Sequence, residues 1–115
     1  MKIIVTGGRN YSDAEAMRYA LRYLYLRSGK NLEIYEGGAL GADAGARWIR
    51  CQAGLKGYTI DADWNRYGAS ACPIRNATML REVEPDVVLA FPGGRGTEDM
   101  VSKARGAGVK VIEVV

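Results

Sequence analysis

Short runs of β-branched and other apolar residues alternate along this chain with stretches of helical period, and few sequence features restrict a fold so strongly. KIIVT at 2–6, LEIYE at 32–36, YTID at 58–61, DVVLAF at 86–91 and KVIEVV at 110–115 have the length and composition of strands. Helices are expected between them. Ser12 and Glu15 have the spacing of a capping box ahead of Met17, Ala20, Leu21 and Leu24, in a helix that should end near Ser28 and Gly29. Ala42, Ala46, Ile49 and Ala53 share one face of a second helix closed by Gly54. Residues 62–72 are polar and aperiodic, which suggests a long loop leading to a third helix with Pro73 near its first turn. A fourth helix is expected from about Thr97 to Ala107.

Strands separated by helices of this length pair parallel through right-handed crossovers, with helices covering both faces. The expected fold is α/β: a single Rossmann-like three-layer αβα sandwich with a mainly parallel five-stranded sheet. With 115 residues, 48% of them apolar, one domain spanning 1–115 is expected. The chain has no histidine, and Cys51 and Cys72 are not in metal-ligand spacing, so histidine-based triads and the common zinc sites are excluded. Nothing in the sequence calls for a metal or a cofactor. The start, MKIIVTGG, lacks a signal-peptide core, and no run approaches the roughly 20 apolar residues that span a bilayer. A cytoplasmic protein with no membrane partner is the expectation.

In an open parallel sheet the ligand sits beyond the carboxyl ends of the strands. Three proposed strands deliver glycine-rich turns there: Gly7 and Gly8, Gly37 and Gly38, and the run Pro92, Gly93, Gly94, Arg95, Gly96, Thr97. Turns of this kind let backbone N–H groups at a helix start meet an anion, and Arg9, Arg75 and Arg95 lie near them in sequence. The last turn lacks the Lys-Ser/Thr ending of a P-loop and the spacing of GxGxxG, so ATPase-type and dinucleotide-type binding are disfavoured.

TGGR at 6–9, GGxxGAD at 37–43, PIRNxxM at 73–79 and FPGGRGTxxM at 91–100 resemble the SLOG superfamily, most closely its small YspA-like members. That superfamily includes the Lonely Guy phosphoribohydrolases, molybdenum-cofactor carrier proteins, the DNA-binding DprA proteins and nucleotide-sensing domains. The resemblance implies a Rossmann-like fold that binds a nucleotide or nucleotide-derived small molecule, with PGGxGT as its phosphate loop. It also implies Arg75 and Asn76 at the site, Asn76 standing where the hydrolases have lysine. Those hydrolases carry a glutamate at the position of Met100, and a thioether cannot stabilise a developing cation or activate water. Binding or sensing is therefore expected ahead of catalysis. A phosphoribohydrolase-like activity would need another carboxylate, from Glu98, Asp99, Asp43 or Glu36. Asp43 could equally hydrogen-bond a ribose, and Trp64 or Tyr67 could stack on a base. Single-stranded nucleic-acid binding in the manner of the DprA relatives is a third expectation, supported by the net charge of +3. The resemblance further implies a homodimer or higher homo-oligomer.

Overall fold

Period-two alternation decides which side of the sheet each strand residue faces. The computed structural model describes residues 1–115. Strands β1 (Lys2–Thr6), β2 (Glu33–Tyr35), β3 (Val87–Ala90) and β4 (Lys110–Glu113) form one sheet in the order β2-β1-β3-β4, with every neighbouring pair parallel. In register, Ile3 pairs with both Ile34 and Val87, and Val88 with Val111. Ile3, Val5, Ile34, Val87 and Leu89 point to one side, where Met17, Leu21 and Leu24 of α1 (Ala14–Arg27) and Ala42 and Ala46 of α2 (Ala42–Ala53) cover them. Ile4, Tyr35 and Val88 point to the other, under Met79 and Val83 of α4 (Ala71–Val83) and Met100 and Ala104 of α5 (Arg95–Gly106). Between α2 and α4 runs the short helix α3 (Trp64–Tyr67). Each large aliphatic side chain buried this way contributes about 1.5–3 kcal/mol, so the two apolar layers account for the three-layer order.

Three expectations are corrected. The sheet has four strands, not five. Residues 56–60 run beside β2 and make isolated bridges, Glu33 with Lys56 and Glu36 with Thr59. The Ile34 N–H donates to the Lys56 carbonyl (2.9 Å) and the Ile60 N–H to that of Glu36 (2.8 Å). Gly57, at φ +129°, leaves the strand region against the Ile34 backbone and breaks the ladder. Helix α1 is capped by Asp13, whose carboxylate accepts from the Ala16 N–H at 3.0 Å, one residue after the Ser12 of the expected box. Residues 62–72 are not a loop throughout. Asp63 caps α3, accepting from the Arg66 N–H at 3.1 Å, and a 3-10 turn at Gly68–Ser70 leads into α4. Pro73 is the third residue of α4, inside the first turn, where its missing N–H costs no helical bond.

The chain leaves β1 toward β2 and then crosses back over β1 to β3, so strand order reverses between the carboxyl ends of β1 and β3. Ligands in open α/β sheets bind at that point. No helix is long and apolar enough to cross a membrane.

Candidate functional site

Beyond the carboxyl ends of β1 and β3 lies a cleft of about 510 Å³, walled by the turn after β1, the start of α4 and the first turn of α5. Its two turns are joined through the backbone, the Gly8 N–H donating to the Pro92 carbonyl at 2.9 Å. Arg9, Arg75 and Arg95 all line it, so the three arginines expected near the glycine turns converge on one space. A larger hollow of about 870 Å³ opens on the opposite side of α5, but its cation, Arg105, is committed to Glu113 at 2.9 Å. Charge therefore favours the smaller cleft as an anion site.

The start of α5 is exposed along that cleft. Gly94 is its N-cap and supplies no side-chain cap. A side chain at Gly94 or Gly96 would find nothing within 4 Å. First-turn N–H groups have no intrahelical acceptor and carry the positive end of the helix dipole. Arg95 and Thr97 line the same space. Pro92 and Gly93 line the far hollow, and Gly93 abuts Gly7 and Gly8 where the two turns meet.

Arg75 spans the floor. Its guanidinium donates to the Gly37 carbonyl and, at 3.1 Å, to Asn76 Oδ1, and it lies so close over Gly37 that a side chain there would overlap it. Asn76 is buried and its amide is consumed, donating to the Gly96 carbonyl (3.1 Å) and to Asp99 Oδ2 (3.0 Å). It clamps α4 to the first turn of α5 and has no free donor to offer a ligand.

The four candidate carboxylates separate. Asp43 and Asp99 line the cleft. Asp43 is 5% exposed and accepts from the Ala39 N–H at 3.2 Å. Burial pushes its pKa up to about 6, with the Glu36 charge adding and Arg75 and backbone N–H groups opposing. Burial also acts to raise Asp99, but hydrogen bonds from Lys103 and Asn76 and the Lys103 charge outweigh it and hold that carboxyl below its ordinary value. Glu36 is fully buried outside the cleft lining, paired with Arg50 (3.4 Å) and Arg47 (3.6 Å) and accepting from Thr59 and from the Gly38 N–H. Glu98 is exposed and faces the far hollow. Met100 is core, packed with Ile4, Met79 and Val88.

A recess of about 230 Å³ adjoins the cleft, sharing Arg9, Ala39, Cys72 and Arg75 with it and adding Gly37, Gly38, Asp61 and Trp64. Trp64 presents its ring there, 5.9 Å from the Arg9 guanidinium carbon, whereas Tyr67 lies outside under Arg66. Sequence reasoning missed Asp61, Ala39 and Cys72. Asp61 carried the one usable signal, as an acid ending a strand-like run at the same sheet edge.

A family model described as the YspA, cpYpsA-related SLOG family matches residues 1–67. The Gene 61 protein of Mycobacterium phage D29 is 36% identical over 119 residues, covering 96% of this chain and 94% of the phage protein. The chain belongs to the SLOG family. Within this SLOG chain the matched region holds the Gly7 and Gly37 turns, and the α4 and α5 starts lie beyond it. Among solved structures, the X-ray structure of TM1055, a structural-genomics target, superposes with a TM-score of 0.72 at 22% identity, over 96% of this chain and 71% of that one. A UDP-N-acetylglucosamine 2-epimerase superposes at 0.58 with 18% identity, and this chain spans 32% of that enzyme. At such identities the two structures share the fold with this SLOG protein. Membership in the family suggests nucleotide-related binding or processing.

Proposed function

We propose that the cleft binds a nucleotide or nucleotide-derived small molecule, with its phosphate at the start of α5 and its base toward Trp64. The observation that carries this reading is the convergence of Arg9, Arg75 and Arg95 on the same cleft as an α5 N-terminus that no side chain caps. Gly94, Gly96 and Thr97 offer backbone N–H groups to phosphate, and Arg75 and Arg95 neutralise it. The adjoining recess offers a ring to stack on and, in Asp61, an acceptor for ribose or base donors. Thermal unfolding with a panel of nucleoside mono- and diphosphates and ADP-ribose tests it. A ligand at a hundred times its Kd should add about 2.7 kcal/mol of stability. Arg75→Ala should reduce that gain. If no nucleotide raises Tm at millimolar concentration, the reading fails.

A second reading, hydrolysis of the N-glycosidic bond of a nucleoside monophosphate, is favoured by one observation: two carboxylates in the cleft have pKa values displaced in opposite directions. Such pairs divide acid and base roles. Asp99, ionised, would face the developing positive charge at the sugar, and Asp43, holding its proton below about pH 6, would protonate the departing base; water would then add to the sugar carbon and return a proton to Asp43. Release of free base from monophosphates at near-stoichiometric protein checks this, and an absence of base at both pH 5 and pH 7 would exclude it.

A further inference from the structure

The recess beside the cleft holds side chains that the fold leaves unused. Asp61 lines it and takes part in no hydrogen bond or ion pair within the chain. The other acids near the cleft all have partners: Glu36 has Arg47 and Arg50, Asp43 has the Ala39 N–H, and Asp99 has Lys103 and Asn76. Arg9 is likewise unpaired, 5.9 Å from the Trp64 centroid, whereas Arg75 is committed to Gly37 and Asn76. Trp64 belongs to α3, which buries none of its residues, so its ring fills neither core layer.

The Asp61 carboxylate is nonetheless held in place. Its Oδ1 rests on Gly38, at φ +78°, where a β-carbon would overlap it, and the Gly38 N–H donates to buried Glu36 at 2.7 Å. Packing thus positions the group while its lone pairs stay free. Asp61 is the one acid of the recess and lies outside the cleft proposed for phosphate, so it stands at the base end of a ligand spanning both. The recess, about 230 Å³, is smaller than the roughly 300–1,000 Å³ of pockets that take a whole ligand, and it suits one ring system.

A base lying on Trp64 would meet a carboxylate, which only accepts, and a guanidinium, which only donates. Guanine alone among the common bases offers the complement to both. Its N1–H and 2-amino group are neighbouring donors that match the two oxygens of a carboxylate, and its O6 and N7 are neighbouring acceptors suited to Arg9. Adenine and cytosine would set a ring-nitrogen lone pair against Asp61, and uracil a single N–H between two carbonyls. We infer that the recess selects guanine, with Asp61 accepting from N1–H and the 2-amino group. This rests on the nucleotide reading above and narrows its ligand class to guanine nucleotides.

Calorimetric titration of the full chain with nucleoside mono- and diphosphates and ADP-ribose tests it, and unchanged melting temperatures without ligand establish that the variants fold. GMP should bind about 10–100-fold more tightly than AMP, CMP or UMP, the range that a bidentate base contact supplies. IMP, which lacks the 2-amino group, should fall between. Asp61→Ala should bring GMP down to the level of AMP and leave AMP no weaker. Asp61→Asn keeps an acceptor for N1–H and turns the other oxygen into a donor, so it should lose GMP and gain XMP, whose 2-position is a carbonyl. Deoxy-GMP should keep its advantage over deoxy-AMP, because Asp61 acts on the base. Equal affinity for all bases, or binding confined to adenine nucleotides and ADP-ribose, overturns the guanine assignment and leaves the nucleotide reading standing. An equal loss of every nucleotide in Asp61→Ala does the same, since it gives Asp61 to the ribose. No binding of any nucleotide at millimolar concentration removes both.

Discussion

Helices α2 and α5 begin alike in sequence: each follows a strand, enters through paired glycines and has a glycine N-cap with no side-chain cap. Their surroundings differ. At α2, Gly41 sits at φ +71° where a β-carbon would overlap the Gly8 and Arg9 backbone, and the Ala42 N–H donates to the Gly8 carbonyl at 3.1 Å. The negative charge that a helix start attracts is supplied there by the chain itself, through buried Asp43 in the first turn. At α5, Gly94 and Gly96 face open space, and the first-turn acid, Glu98, is turned to the far hollow. A glycine-rich strand-to-helix turn thus becomes a candidate anion site only where the fold has not already filled it.

Breaking the occupied turn should have the largest effect. Gly41→Ala combines a strained positive φ with a clash against backbone that cannot rotate away, and should lower unfolding stability by at least about 3 kcal/mol in denaturant titrations. Next comes the internal anion. The folded pKa of Asp43, about 6 against an ordinary 3.8, means that the folded state holds its proton more tightly than the unfolded chain. Its contribution to stability is complete below 3.8 and is lost as pH rises through about 6. Asp43→Asn should therefore flatten the stability profile across that window and leave the variant more stable than the parent at pH 8, by about 2–3 kcal/mol. A parent whose stability does not decline over that window would show that α2 has no costly internal charge. The smallest effect belongs to the open turn. Gly96→Ala should raise stability by about 0.5–1 kcal/mol, since alanine is the better helix former and no neighbour is displaced. It should at the same time weaken any nucleotide-induced rise in Tm, a combination that the occupied turn cannot produce.

The residue pattern shows three glycine turns at one sheet edge, and it was the family resemblance that singled out PGGxGT; that the fold fills the start of α2 was not legible in the sequence. The strands of the sheet were, because β-branched runs such as VVLA have no other way to bury every side chain. Convergence of Arg9, Arg75 and Arg95 was also within reach, since parallel topology sends all three to one edge. What escaped depends on contacts distant in sequence. Gly57 interrupts the fifth strand because of where the Ile34 carbonyl lies. Glu36 and Asp43, both acids beside glycine turns, part company because two arginines of α2 and Thr59 claim the first. The capping box pointed to Ser12, and the backbone places the cap one residue later, at Asp13, a residue type that caps as well as serine.

The unfinished fifth strand divides the site into portions with different freedom to change. Asp61 of the recess stands at the end of the approach through residues 56–60, which is fastened by two isolated bridges and the Glu36 side chain in place of a continuous ladder. The start of α5, where phosphate is proposed to sit, stands on central strands and on the Asn76 clamp. Substitution or insertion along that approach leaves the pairing of β1 with β3 untouched. Under the nucleotide reading proposed above, the recess can therefore change what it accepts while the arginine cleft stays in place.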